Sequence, residues 1–163
     1  MKHYTVETYT VADSVGYLMR HTASLLRDEL ETAFEGHGFT FVQWATMMRL
    51  RDNMRLTAGD LCRDLRHDTG AFTRVIDHLE ERGLVSRERS DDDRRVVLLK
   101  LTSAGRQAVQ SMLPVVVDRL NEALQDLSAS ELATLVRLLR RISARLNDPV
   151  PAVERPARRG ARP

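Results

Sequence analysis

Apolar residues recur three or four positions apart along most of this chain, and the breaks in that rhythm divide it into helices with one strand pair among them. Over residues 11–34, Val11, Val15, Leu18, Thr22, Leu25, Leu26, Ala33 and Phe34 share the face that a long amphipathic helix buries. The segment "EGHGF" stops it. Residues 40–51 read as a second helix with Trp44, Met47 and Met48 inward, and "NMRLT" separates it from a third. There, Thr57 followed by Asp60 reads as a capping box with Asp in the usual Glu position, opening a short helix with Ala58, Leu61, Cys62 and Leu65 on its buried face. In "DTGAFTRVIDHLEERG", Phe72, Val75, Ile76 and Leu79 keep helical spacing, and Gly83 supplies a left-handed stop.

The period then changes. Residues 84–89 and 94–101 are rich in strand-forming side chains, and they flank a polar tip in "RSDDDRRVVLLKLT" that reads as a hairpin turn. Thr102 is placed to cap a long helix carrying Val109, Met112, Leu113, Val116, Val117, Leu120 and Leu124 on one side. Pro114 lies inside it and is expected to kink or interrupt it, because proline removes a backbone donor and crowds the preceding turn. Ser128 with Glu131 opens another capping box, and Leu132, Leu135, Leu139, Ile142 and Leu146 follow with the spacing of a helix–helix seam. From Asn147 onward periodicity ends in favour of proline and arginine, the composition of a disordered tail.

Two short helices joined by a tight turn, followed by a two-stranded hairpin, make a winged helix-turn-helix. The expected fold is therefore mainly α with a small β-hairpin wing, flanked by N- and C-terminal helices. Composition refines this picture in two ways. The formal charge of +2 owes +3 to residues 149–163, leaving residues 1–148 at −1, so the basic balance is not by itself evidence for a nucleic-acid partner. The single cysteine, Cys62, excludes an intramolecular disulfide and fits a reducing compartment. With no signal-like start and no long apolar run, a soluble cytoplasmic protein without membrane contact is expected.

The stretch from Thr40 to Gly105 resembles the MarR family of bacterial transcriptional regulators. "LRHDTGAFTRVIDHLEERGLVSR" is similar to the family's recognition-helix segment, and "DRRVVLLKLTSAG" to its wing signature, Asp-x-Arg followed by a strand ending in Leu-Thr. The terminal helices agree in length and position. The resemblance implies one unit over residues 1–148, with dimerisation helices at about 11–35 and 103–147 and a winged helix-turn-helix at about 40–101, ahead of a disordered basic tail over 149–163. It also implies a homodimer on a pseudo-palindromic operator in double-stranded DNA. Dimerisation has a physical argument of its own, since such long apolar stripes exceed what a small winged-helix domain can cover.

With Phe72, Val75, Ile76 and Leu79 inward, the opposite face of the fourth helix presents Thr69, Gly70, Thr73, Arg74 and Asp77. Short polar groups and one arginine suit a helix entering a major groove, where close approach is needed and a guanidinium reaches a guanine edge or a phosphate. Arg66 and His67, in the preceding turn, are candidates for phosphate contact. For the charged tip, the resemblance implies that Arg95 enters the minor groove while Asp93 holds its guanidinium, and that Arg94 contacts phosphate. Asp91 and Asp92 are then turn-forming residues.

The family often releases DNA when a small aromatic or amphipathic molecule fills a pocket between the dimer helices and the DNA-binding lobe. His21, Trp44, Met47 and Met48 are the candidates for such a pocket, although a Met/Trp stripe at helical spacing also describes plain core. Cys62 sits on an apolar face and reads as a small buried hydrophobe in preference to a redox sensor. His3, His21, His37, His67 and His78 show no ligand spacing, so no metal and no cofactor is expected. An enzyme is not expected either, because the chain has no phosphate-binding glycine loop, no nucleophile elbow and no triad-like pattern. The remaining alternatives are a winged-helix protein-interaction module and a redox- or metal-responsive regulator.

Overall fold

A computed structural model describes residues 3–53 and 55–146, so the basic tail expected over 149–163 lies outside the described residues. The element order is α1 (Val15–Phe34), α2 (Phe41–Asp52), α3 (Ala58–Asp64), α4 (Thr69–Glu81), β1 (Val85–Arg89), β2 (Val97–Leu101), α5 (Ser103–Ala123) and α6 (Ala129–Arg145). No helix among the described residues is long and apolar enough to cross a membrane.

Helix starts follow hydrogen-bond chemistry. Thr40 with Gln43, Thr57 with Asp60 and Ser128 with Glu131 form reciprocal capping boxes at α2, α3 and α6. Ser14, Asp68 and Thr102 cap α1, α4 and α5 with single side-chain acceptors. The bonds from the Thr57 backbone and hydroxyl hold the Asp60 carboxyl below the ordinary carboxylate range. The stability this linkage contributes is therefore present above the unfolded-state pKa and lost as pH falls through the lowered folded value.

Local structure departs from the periodicity in four places. Helix α1 begins at Val15, not at Val11, because the Ser14 side chain accepts the Tyr17 N–H and the Tyr4 hydroxyl accepts the Val15 N–H (3.0 Å). Strand β2 begins at Val97, not at Arg94, because Val96 N–H bonds back to the Asp93 carbonyl (2.9 Å) and keeps residues 93–96 in the turn. Helix α5 runs unbroken through Pro114. Ala58, expected on the buried face of α3, is exposed at its first turn.

The hairpin pairs Val85 with Leu101 through Arg89 with Val97 in antiparallel register. Leu56 adds a one-residue bridge to Leu99, whose N–H bonds to the Leu56 carbonyl (2.9 Å), so the approach to α3 is tied to the wing. Two apolar cores result. The larger gathers Met47, Leu50, Leu61, Phe72, Ile76, Leu79, Leu99 and Val109 from α2 to α5. The smaller joins Leu30 and Phe34 of α1 to Met112 and Val116 of α5, and Phe39 packs against both. Helix α6 contributes no fully buried residue.

Helix α5 meets the hairpin at unusually close range. A Cβ on Gly105 would lie 2.0 Å from the Leu84 carbonyl oxygen, a backbone atom that cannot swing away. Gly105→Ala is expected to destabilise the fold by about 3 kcal/mol, the upper end of overpacking costs, read as a lowered urea midpoint at unchanged m-value.

Candidate nucleic-acid interface

The turn between α3 and α4 is built from backbone and one thiol. Arg66 adopts a left-handed conformation (φ 48°), uncommon for a residue with a Cβ, and His67 N–H bonds to the Cys62 carbonyl (3.0 Å). The Cys62 thiol donates to the His67 carbonyl (3.0 Å) from a buried position in the larger core. It acts there as a small hydrophobe whose sulfur also lies 3.7 Å from the Thr69 hydroxyl. The His67 ring tilts against Phe72 at 5.8 Å between centroids, so this half-buried side chain helps anchor the turn, whereas Arg66 is exposed.

Helix α4 buries Phe72, Ile76 and Leu79 and exposes Thr69, Gly70, Thr73 and Arg74. The Thr73 hydroxyl donates to the Thr69 carbonyl (3.0 Å), which leaves its oxygen able to accept from an outside donor. Arg74 makes no hydrogen bond or ion pair among the described residues. Asp77, one turn further along, differs from the expected free polar position. It is half-buried and accepts from Arg87 Nη2 of β1 (2.6 Å), while Arg87 Nη1 bonds to Glu80. The bond to Asp77 is the main reason the Arg87 guanidinium is held above its ordinary, already high pKa.

At the wing tip, Asp93 Oδ1 accepts from the Arg95 backbone N–H (3.0 Å) and from Nε (3.2 Å), and Oδ2 accepts from Nη2 (3.2 Å). The Arg95 side chain is nonetheless 91% exposed. The Arg95 side chain first, and its backbone N–H second, hold the Asp93 carboxyl below its usual range, so the anchor is ionised throughout the neutral region. Arg94 and Asp91 are exposed, and Asp92 pairs with Arg55 from the segment before α3. Sequence reading gave Asp92 only a turn-forming role. A partner 37 positions away leaves no local signal.

The candidate effector residues are not all brought together. His21 lines an open cleft of about 680 Å³ with Tyr17, Arg20, Ser24 and Arg27 of α1 and Phe41 of α2. Its ring stacks on Tyr17 (5.7 Å, 6°). Trp44 sits between Phe34 and Phe41 in the smaller core, with a buried indole N–H that has no protein partner among the described residues. Met47 is fully buried in the larger core and Met48 packs against that core, and neither lines the cleft. Arg20 and Arg27 were missed by sequence reading. Their signal was the recurrence of Tyr17, Arg20, Ser24 and Arg27 at steps of three and four on the polar side of α1. Among the described residues no group of three His, Cys, Asp or Glu side chains could hold a metal ion.

Comparison with known proteins follows the same geometry. The MarR family model matches residues 39–97, from the start of α2 to the start of β2. The multiple antibiotic resistance protein MarR of Escherichia coli is 34% identical over 104 residues, covering 63% of this chain and 72% of that one. The transcriptional regulator YdgJ of Bacillus subtilis is 32% identical over 93 residues, 57% of either chain. Among solved structures, Bordetella bronchiseptica BpsR, whose DNA binding is regulated by 6-hydroxynicotinic acid, superposes with a TM-score of 0.72 at 27% identity, over 83% of this chain and 96% of that one. A mutant of E. coli MarR complexed with operator DNA gives 0.68 at 29% identity, over 78% of this chain and 92% of that one.

Proposed function

This chain belongs to the MarR family of DNA-binding transcriptional regulators, which are not enzymes, and from that premise we propose that it is a homodimeric, sequence-specific repressor released by a small-molecule effector. The observation that carries the reading is the wing tip. An arginine whose side chain is 91% exposed nevertheless gives Asp93 two guanidinium hydrogen bonds and one from its backbone N–H, so its guanidinium is oriented before it meets a partner. Pre-orientation lowers the side-chain entropy lost on inserting a planar cation into a narrow minor groove. Beside it, Thr69, Gly70, Thr73 and Arg74 of α4 serve as the major-groove surface, and Arg66 and Arg94 as phosphate contacts. That E. coli MarR, a structural neighbour, is complexed with operator DNA supports duplex DNA as the partner of this surface.

Dimerisation rests on the apolar surface left uncovered by a single chain. Val15, Leu18 and Leu25 of α1, Val117 of α5, Leu135, Leu138 and Ile142 of α6, and Leu146 just beyond it are all exposed, far more than scattered surface leucines account for. A second copy covers these stripes and sets two α4 helices against successive major grooves of a pseudo-palindromic operator. The effector site is the cleft between α1 and α2. Arg20, His21 and Arg27 supply cationic or hydrogen-bonding groups, and Tyr17 and Phe41 supply aromatic walls, a set that suits a small aromatic acid. Regulation of BpsR by 6-hydroxynicotinic acid favours that ligand class.

Four outcomes test these assignments. On a duplex selected from a random-sequence pool by the wild-type protein, titrated at fixed salt, Arg95→Ala is expected to lose about 1–3 kcal/mol of binding free energy with the protein still folded; unchanged affinity would remove Arg95 from the interface. Arg74→Ala is expected to weaken the same duplex, with sequence preference relaxing if the contact is to a base. Equal, weak binding of wild type to selected and scrambled duplexes would instead favour a protein-interaction module. Ile142→Glu combined with Leu135→Glu is expected to yield a monomer in sedimentation velocity; an unchanged wild-type dimer would exclude the α6 stripe as the seam. Finally, 6-hydroxynicotinic acid or a related aromatic acid is expected to release the selected duplex from wild type, and Arg27→Ala to need on the order of tenfold more ligand, as loss of one charge-assisted hydrogen bond implies.

A further inference from the structure

Helix α4 carries two carboxylates beside the face assigned to DNA. Asp77 lies three positions after Arg74 and four after Thr73, one helical turn along the same side, and Glu80 follows three positions later. A carboxylate roughly one 5.4 Å turn from an arginine that enters the major groove opposes binding, because the DNA backbone flanking the groove presents a dense row of negative charge. In this structure both carboxylates converge on one guanidinium, that of Arg87 on β1. Arg87 reaches them from the neighbouring strand, and the side chains of Arg87, Asp77 and Glu80 remain 36%, 46% and 37% exposed. Exposed pairs of this kind add little to stability, so their placement calls for another explanation.

We infer that Arg87 is a positioning residue for DNA binding that masks Asp77 and Glu80, holding their negative charge toward the wing and away from the phosphates that α4 approaches. The inference rests on the proposed DNA contact by α4. It distinguishes Arg87 from Arg74 and Arg95, which are proposed to touch DNA themselves. Masking acts through charge alone and carries no sequence information. Its loss therefore weakens selected and scrambled duplexes in the same proportion, and added salt screens the repulsion away, with a Debye length of about 8 Å at 0.15 M ionic strength.

The test compares full-length wild type, Arg87→Ala, Arg87→Lys, Asp77→Asn and the double variant Arg87→Ala/Asp77→Asn on the selected duplex and on a scrambled one, at low and moderate salt. Thermal melting establishes that each is folded. Arg87→Ala is expected to bind both duplexes on the order of tenfold more weakly at low salt, with the deficit narrowing as salt is raised. Arg87→Lys keeps most of the affinity. The double variant restores the net charge of the cluster without restoring the bridge, and it recovers most of the loss; Asp77→Asn alone binds both duplexes more tightly than wild type. A double variant no better than Arg87→Ala, or a loss confined to the selected duplex, overturns masking and makes the bridge a purely geometric support. If wild type shows no preference for the selected duplex, the regulator reading fails by itself, because the comparison on scrambled DNA still reads the masking.

Discussion

Four elements of this protein are joined at one backbone knot, and the placement of α4 against the hairpin and α5 depends on it. Gly83 ends α4 in a left-handed conformation (φ 67°), and Leu84 turns at once toward β1. The Thr102 hydroxyl donates to the Gly83 carbonyl (2.6 Å), its N–H bonds to the Leu84 carbonyl (3.1 Å), and the same hydroxyl oxygen accepts the Gly105 N–H (3.0 Å). The absent side chain at Gly105 is what permits α5 to come this close. The end of α4, both strands of the hairpin and the start of α5 therefore share one set of hydrogen bonds. A shift in α5 is a shift in the wing and in α4.

Around that knot the protein separates stability from presentation. Apolar residues of α2–α5 and the hairpin form the larger core, and α1 with α5 forms the smaller one, with Phe39 in contact with both. Arg82, at the end of α4, stacks over Phe39 (4.3 Å) and donates to the Gly38 carbonyl (2.8 Å), so α4 is also tied to the loop between α1 and α2. Phe41, two residues beyond Phe39, lines the cleft proposed for the effector. The cleft and α4 are thus linked through a few packed residues.

Charge in this chain works locally because the net balance is small. The Asp93–Arg95, Asp92–Arg55 and Arg87–Asp77 pairs lie near the surface, where water and salt limit their contribution to folding. Their value is in direction. One aims a guanidinium outward, one ties the wing tip to the segment before α3, and one gathers carboxylates against the hairpin. Near-neutral composition is consistent with DNA recognition when individual cations are oriented and individual anions are covered.

The elements themselves were legible in the sequence, because capping boxes, glycine stops and three-to-four periodicity are interactions between residues within a turn or two of each other. Thr57 with Asp60 and Ser128 with Glu131 announced their helices for that reason, whereas the contact of Asp93 with Arg95 was implied by the family resemblance of the Asp-x-Arg motif. Element ends were less legible where a distant or irregular group intervened, as the Tyr4 hydroxyl does at the start of α1. Periodicity also marked Met47 as inward-facing without telling core from cleft. That distinction, like the pairing of Arg87 with Asp77 and of Arg55 with Asp92, arises only when separate elements pack, because these side chains meet across the fold and leave no trace in local spacing.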